Sequence, residues 1–364
     1  MTFEMNNAVK DSEIFDNKFN SKSAVAEVFA SLVNGESLDK FGAKGDKAVA
    51  YIKELGSRAS NGDVSAVAEL NTLRRFMIES PVMEEIKLLG IFGTYQSVGF
   101  DDTIEREVMN YAGEMSRIQA ANGDVVFPTP VKERYPVPTF TVSGGYRVDY
   151  RRVANGDMSI ENEGLANVRT DILNNAKAAI MKKVYNAVVN ATGIKYVFQG
   201  AGLTKAGADD VLTKVRRNGR PTVFGDYAMI SQFTPWAGYV GTIASNTITG
   251  ISEKAMNEIA QNGALSMYNG AILAEIENPY NEYKLNAAGD NFETLMPQGL
   301  ALVVPTGTRS PIATYTRGGL TSFSGNEVTT GHILTRFDLE VGCDVAKGQE
   351  HKIGLLYDSN LGGL

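Results

Sequence analysis

The sequence predicts an α+β chain in which helices and strands occupy separate stretches around an extended framework. Three observations predict it. Apolar residues recur at helical spacing through the first hundred residues. One uninterrupted helical stripe covers about residues 157–192, directly after a proline-bearing extended stretch. From residue 300 onward, short apolar runs alternate with glycine-rich turns. At 364 residues the chain is long enough for two or three packed parts.

Residues 1–102 read as a lobe or arm of short helices. Val25, Val28, Phe29 and Leu32 keep helical spacing after Ser21–Ser23, and Gly35 stops the run. A second helix is expected from Asp46, burying Val49, Ile52 and Leu55 before Gly56. A third follows Asp63 as N-cap, with Val67, Leu70, Leu73 and Met77 on one stripe and Pro81 beyond its end. Stripes this short must pack on one another or on a partner.

Residues 103–153 change character. Pro128, Pro130, Pro136 and Pro138 sit in the middle, and Phe140, Val142, Tyr146, Val148 and Tyr150 alternate as in a strand. Prolines would cost hydrogen bonds in a central strand, so an edge or a protruding hairpin is expected. Lys132, Arg134, Arg147, Arg151 and Arg152 give residues 131–152 a basic bias against Glu133 and Asp149. A ribbon of that charge suits an acidic neighbour, and those five cations are the candidate inter-subunit contacts. An isolated two-stranded ribbon is at best marginally stable, so this one is expected to be mobile in a free subunit and to pack mainly on a neighbour.

The next stretch, residues 157–192, holds no proline and only Gly164 near its start. Leu165, Val168, Ile172, Ala176, Ala179 or Ile180, Val184 and Ala187 or Val188 form one stripe. A helix of that length would run roughly 45 Å at about 1.5 Å per residue, a strut for an extended molecule. After Gly193 the pattern is α/β. Helices are expected over 204–217 (ended by Asn218-Gly219), from Asp226 through Trp236, and over 252–261. PTVFG is a short buried strand, and residues 264–279 are a strand pair. ALVVP, PIATYT, HILTRFDLEVGCDVA and HKIGLLYD supply the closing strands.

Composition narrows the function. A 43% hydrophobic and 21% charged chain is an ordinary globular one. The formal net charge of −7 argues against a dedicated nucleic-acid binder, which needs clustered Lys and Arg. The only cysteine, Cys343, rules out an intrachain disulfide framework and a multi-cysteine zinc site. The opening MTFEMNNAVKDSEIFDNKF has no basic n-region followed by an apolar stretch, and no run has the ~18 apolar residues of a membrane span.

Catalytic signatures are missing. The sequence holds no nucleophile elbow, zinc-binding His pair, phosphate-binding loop or dinucleotide fingerprint. A nucleophile pair would have to use His332 or His351; His332 reads as a strand residue and Cys343 as a small buried hydrophobe. Asp101-Asp102 reads as a turn, and Glu84-Glu85 and Asp209-Asp210 as solvated helix faces. No catalytic, cofactor-binding or metal residue is therefore assigned.

The order of the parts carries a resemblance. A helical N-terminal region, a proline-bearing hairpin, one long helix, a central α/β region and a strand-rich return resemble the Hong Kong 97-type (HK97-like) capsid fold of tailed-bacteriophage major capsid proteins. The closing residues 306–358 have the character of such C-termini. The resemblance implies an N-terminal arm at 1–102, an E-loop at 103–153, the spine helix and start of the P-domain at 154–199, an A-domain at 200–300 and P-domain return strands at 301–364. It implies a non-enzymatic shell subunit that associates with itself in pentamers and hexamers, encloses double-stranded DNA without reading its sequence, and meets a portal and scaffold or decoration proteins. It further implies assembly in the host cytoplasm, a place in the virion, and no cofactor or membrane. The N-terminal helices are expected to stay attached, although many relatives remove such a segment. Lys132 lies where some relatives crosslink to a neighbour's Asn, but that chemistry is not expected here. The competing readings are an encapsulin-like nanocompartment with protein cargo, and a carboxylate-dependent enzyme, which would show a deep pocket holding perturbed acids.

Overall fold

The computed structural model describes residues 28, 38–75, 92–112, 118, 127–149, 151–152, 158–236, 264–286, 289–306, 310–327, 329 and 332–362. The expected helices around Phe29 and over 252–261, and the stops at Gly35 and Pro81, lie outside them. Among the described residues the longer α-helical runs are α1 (Ala43–Ser60), α2 (residues 64–75), α3 (Met158–Val189), α4 (Lys205–Arg216) and α5 (Tyr227–Ser231). The strands are β1 (Thr94–Val98), β2 (Glu105–Ala112), β3 (Thr129–Pro136), β4 (Thr139–Asp149), β5 (Tyr196–Gly200), β6 (Pro221–Gly225) and β7 (Met267–Tyr268). They continue with β8 (Ala271–Glu275), β9 (Tyr280–Leu285), β10 (Phe292–Thr294), β11 (Leu300–Pro305), β12 (Ile312–Asn326), β13 (His332–Val345) and β14 (Gly354–Asp358). Four sheets result: β1-β12-β13-β4, β5-β14-β11-β6-β8-β7, and the pairs β2-β3 and β9-β10.

The chain divides into two compact units, each drawn from three stretches. The first comprises Met1–Lys87, Thr141–Leu173 and Gly318–Glu340. Its helix α1 buries Ile52, Leu55 and Ala59, and runs through Gly56, which the sequence reading makes its end. A mid-helix glycine costs about 1 kcal/mol, less than the burial of Leu55 and Ala59 on either side returns. Asp63 caps α2 as expected: its Oδ1 accepts from the amides of Ser65 (3.0 Å) and Ala66 (3.3 Å). The helix then buries Ala66, Leu70, Leu73 and, unforeseen, Arg74 at 2% exposure. Arg74 donates to Thr335 Oγ1 at 3.0 Å and lies over the Tyr146 ring, which stacks on Phe337. Asn71 donates to the Ser322 carbonyl at 3.0 Å. Helix α2 is thus bonded to the strands of its own unit. Gly164 lets α3 approach Tyr146, because a Cβ there would stand 2.9 Å from the ring.

Helix α3 realises the long stripe. Leu165, Val168, Ile172, Ala176, Ile180, Val184 and Val188 are all buried. Ile180 and Val188 take the two positions that spacing alone leaves open.

The second unit comprises Leu88–Phe140, Asn174–Arg317 and Val341–Leu364. In its six-stranded sheet β5 runs parallel to β14 and β6 parallel to β8, while β11 is antiparallel to both β14 and β6. Strands β6, β11 and β14 are buried along their whole length, which is why they read as continuous apolar runs. Helix α4 covers the sheet with Ala208, Val211, Leu212 and Val215, and Thr204 caps it by accepting from the Gly207 amide at 3.3 Å. Asp226 caps α5 through the Ala228 amide at 2.7 Å. That helix stops at Ser231, and the expected run to Trp236 closes instead as the single 3-10 turn Thr234–Trp236 around Pro235. Strands β11 and β14 come from residues 301–364 yet share this sheet with β6 and β8.

Candidate assembly surface

The hairpin region resolves into two elements. Strands β2 and β3 form a separate antiparallel ribbon, with Pro130 and Pro136 inside β3 where no third strand needs their missing N–H. Strand β4 sits at the end of the four-stranded sheet, the edge position that its sequence requires.

Strand alternation gives the ribbon two unlike faces, since directly opposed residues share a face. Arg106, Val108 and Asn110 stand opposite Tyr135, Glu133 and Val131 on one face. Glu105, Glu107, Met109 and Tyr111 stand opposite Pro136, Arg134, Lys132 and Pro130 on the other.

The first face is anchored within the subunit. Arg106 donates to Asp344 Oδ2 (2.9 Å), to the Asp344 carbonyl (2.8 Å) and to the Pro311 carbonyl (2.7 Å). The Tyr135 hydroxyl donates to the same Asp344 oxygen at 2.8 Å, and burial together with that bond pushes its pKa up to about 12. Lys347 Nζ lies 4.3 Å from the Tyr135 ring centre and 3.1 Å from Glu133, while Asn110 donates to the Lys347 carbonyl at 3.2 Å. Val108, Tyr135 and Ala346 close a small apolar cluster beneath. The sequence reading expects a ribbon without an anchor in its own subunit; the segment 344–349 supplies one.

The second face is open and graded. Near the root, Lys132 pairs with Glu107 at 2.8 Å and Arg134 with Glu105, all four side chains well exposed. Met109, level with Lys132, and Tyr111, farther out, are 48% and 50% exposed, and Phe127 is 83% exposed. Two of the five candidate cations are therefore already paired across the ribbon, because β2 contributes acids that the count over 131–152 leaves out. Arg147 is exposed on β4, and Arg151 and Arg152, both helical, are exposed just beyond it in sequence. The structure brings Lys132 and Arg134 together on one face; the other three belong to a different sheet and its continuation. Arg106, Tyr135, Asp344 and Lys347, which set the ribbon's root, are absent from the sequence-derived set. The one signal for them is the charged alternation EREV in β2.

Two buried ionisable groups, Cys343 and Asp358, have structural explanations. Cys343 is buried, and burial pushes its thiol up to about 12. Asp358 is buried, yet its carboxyl lies below the usual range: burial opposes ionisation, and donors from Gln232, Asn360, Gly202 and Leu203 outweigh it. Its Oδ1 accepts from Gly202 at 2.7 Å and its Oδ2 from Gln232 at 2.9 Å, ties that close the loops at the end of β14. Among the described residues no group of three His, Cys, Asp or Glu could hold a metal ion, and no helix is long and apolar enough to cross a membrane.

The profile of the family described as SPbeta prophage-derived putative capsid protein YonB matches residues 7–357. No curated protein matches the chain. Among solved structures, the head structure of Helicobacter pylori bacteriophage KHP40 matches with a TM-score of 0.50 at 9% identity, over 76% of this chain and 91% of that one. A protein of Microbacterium phage Oxtober96 matches at 0.48 and 9% identity, over 74% and 90% of the two chains. The virus-like particle from Pyrococcus furiosus matches at 0.46 and 8% identity, over 77% and 97%. With nearly its whole length matched by the family profile and an HK97-like α+β fold, this chain belongs to the YonB family of prophage-derived capsid proteins.

Proposed function

We propose that the chain is the major, non-enzymatic subunit of an icosahedral phage head, assembling with itself into pentamers and hexamers around double-stranded DNA. The observation that carries this reading is the capsid-family match over residues 7–357. The two-faced ribbon supports it: one face is fixed by Asp344, and the other presents Met109 and Tyr111 to whatever lies outside the subunit. Exposed apolar side chains on a rigid projection fit a repeated contact between like subunits better than a solvated loop. Assembly takes place in the host cytoplasm and the product is the virion shell, with a portal and scaffold or decoration proteins as further partners. Lys132, Arg134, Arg147, Arg151 and Arg152 are the proposed charged contacts.

The division of labour follows the same reading. Residues 1–102 form an N-terminal arm and 103–153 the E-loop. Residues 154–199 hold the spine and the start of the P-domain, 200–300 the A-domain and 301–364 the P-domain return, with β11 and β14 lent to the A-domain sheet. The ties from Asn71 and Arg74 to Ser322 and Thr335 support an N-terminal lobe that persists in the finished shell.

Electron microscopy of the purified chain, expressed alone and with its neighbouring head genes, tests the proposal. Closed shells are expected, and shells from infected or induced cells should contain DNA. A chain that stays monomeric at micromolar concentration with head partners present refutes it, and closed shells filled with protein cargo refute the DNA part.

A further inference from the structure

The six-stranded sheet of the second unit is electrically lopsided. Its four parallel strands, β5, β14, β6 and β8, all begin at one edge and end at the other. At the starting edge, between α4 and β6, the sequence VRRNGRP places Arg216, Arg217 and Arg220, all exposed. Arg216 Nη1 donates to the Asn269 carbonyl at 2.9 Å and Arg220 Nε to the Gly270 carbonyl at 3.2 Å. Two guanidinium groups thus rest on successive carbonyls of the β7–β8 turn. A Cβ at Gly270 would stand 3.2 Å from both terminal nitrogens of Arg216, and φ there is +78°, so glycine suits both the turn and the approach. These contacts fix the cations without neutralising them, because a carbonyl takes one N–H of the five that each guanidinium offers. The nearby carboxylates are already engaged: Asp209 accepts from Asn269 and Asp210 pairs with Lys214.

The ending edge has the opposite sign. Glu275 ends β8 opposite Gly225, and Glu277 follows it; both are exposed. Asp226 follows β6 and caps α5, and Lys205, in the first turn of α4, is the cation at this end of that helix, whose other two, Lys214 and Arg216, lie in its last turn. The two edges lie roughly 15 Å apart at about 3.3 Å per residue of strand.

We propose that this unit is a polar building block: Arg216, Arg217 and Arg220 of one subunit dock the Glu275–Glu277 edge of a second copy of the same chain, head to tail. Charge complementarity identifies the occupant. The chain has 42 acidic against 35 basic residues, so another copy offers carboxylates, while the same acidic surface repels nucleic acid around the patch. A head-to-tail contact between unlike surfaces closes into rings when its rotation permits, as a contact between identical surfaces does not.

The inference rests on the shell reading, and the experiment separates the two. Arg217 is the residue to change, because its side chain is exposed and, among the described residues, makes no side-chain hydrogen bond or ion pair to lose. Arg217→Glu should raise the protein concentration at which shells form by about tenfold or more, and Glu277→Arg should do the same. Combining them re-creates an opposite pair and should return that concentration to within about threefold of the wild type. Circular dichroism and thermal melting of the unassembled variants establish that each is folded; if Arg217→Glu is not, Arg217→Gln with a salt titration replaces it, and assembly insensitive to both overturns the inference. Single variants that assemble like the wild type, or a double variant no better than the singles, also overturn it. Normal shells of Arg217→Glu that package less DNA would assign the patch to nucleic acid instead. A wild-type chain that never assembles defeats the shell reading itself.

Discussion

Replacing Asp344 by Ala removes the acceptor on which the ribbon's root converges. Two interactions go at once: the Arg106 ion pair at 2.9 Å, with side chains 12% and 18% exposed, and the Tyr135 hydroxyl bond at 2.8 Å. Orphaning one partner of a fully buried pair costs about 3–5 kcal/mol, and a hydrogen bond to a charged group contributes about 1.5–3 kcal/mol. Here the pair is partly solvated, and Arg106 keeps the carbonyls of residue 344 and Pro311, so the expected loss is ~2 kcal/mol. That corresponds to roughly thirtyfold faster hydrogen exchange for non-proline amides in 105–112 and 129–136, measured on unassembled subunits. Asp344→Asn keeps an oxygen acceptor and should lose less than half as much. Ribbon amides that exchange at the wild-type rate in Asp344→Ala would refute the idea that this carboxylate holds the ribbon in its own subunit.

Three further perturbations probe other parts. Ala176→Pro, at a fully buried position in α3, should cost ~3 kcal/mol or more and abolish soluble shells; normal shells would mean that α3 is not the structural spine. Alkaline pH should loosen the subunit. The phenol of Tyr135 is raised from 10.0 to about 12, so the stability it contributes is full below pH 10 and lost as pH rises toward 12, when a phenolate would face Asp344. Unfolding midpoints of the wild type and Tyr135→Phe should therefore converge over that window, and a constant difference would count against it. Lys132→Ala with Arg134→Ala should change free-subunit stability by less than about 1 kcal/mol, since both ion pairs are well exposed, but should weaken assembly. Unchanged assembly, followed by light scattering, would remove those two residues from the contact surface.

Much of the fold is legible where one local signal decides the outcome. The α3 stripe needs only helical period and the absence of proline. Asp63, Thr204 and Asp226 announce helix starts because a short oxygen-bearing side chain is what unpaired amides require. PTVFG reads as buried because a strand covered on both faces has no polar side to show. What stayed hidden depends on distant residues. TYQSV of β1 carries almost no apolar pattern and becomes a strand by lying parallel to β12, more than two hundred residues later. Arg74 looks like a solvated helix residue until Thr335 and Tyr146 enclose it. The ribbon's anchor likewise joins Tyr135 to Asp344, a pairing that no local window contains. Counting charge along 131–152 misled for the same reason, since the acids that answer Lys132 and Arg134 lie on the other strand.

The place of β14 sets a timetable for making this protein. Strand β5 has β14 as its sheet neighbour, and β14 alone joins it to β11 and the rest of the sheet. Residues 196–200 therefore emerge from the ribosome more than 150 residues before the strand that will hold them. At about 5–20 residues per second, that interval lasts roughly eight to thirty seconds. A chain interrupted before Gly354 is left with β5 stranded from the sheet and with one backbone edge of β11, along Leu300–Val303, unpaired. Completion of the sheet thus requires synthesis through Asp358. A fragment that stops short of β14 is marked by an open strand edge on β11 and by an unpaired β5.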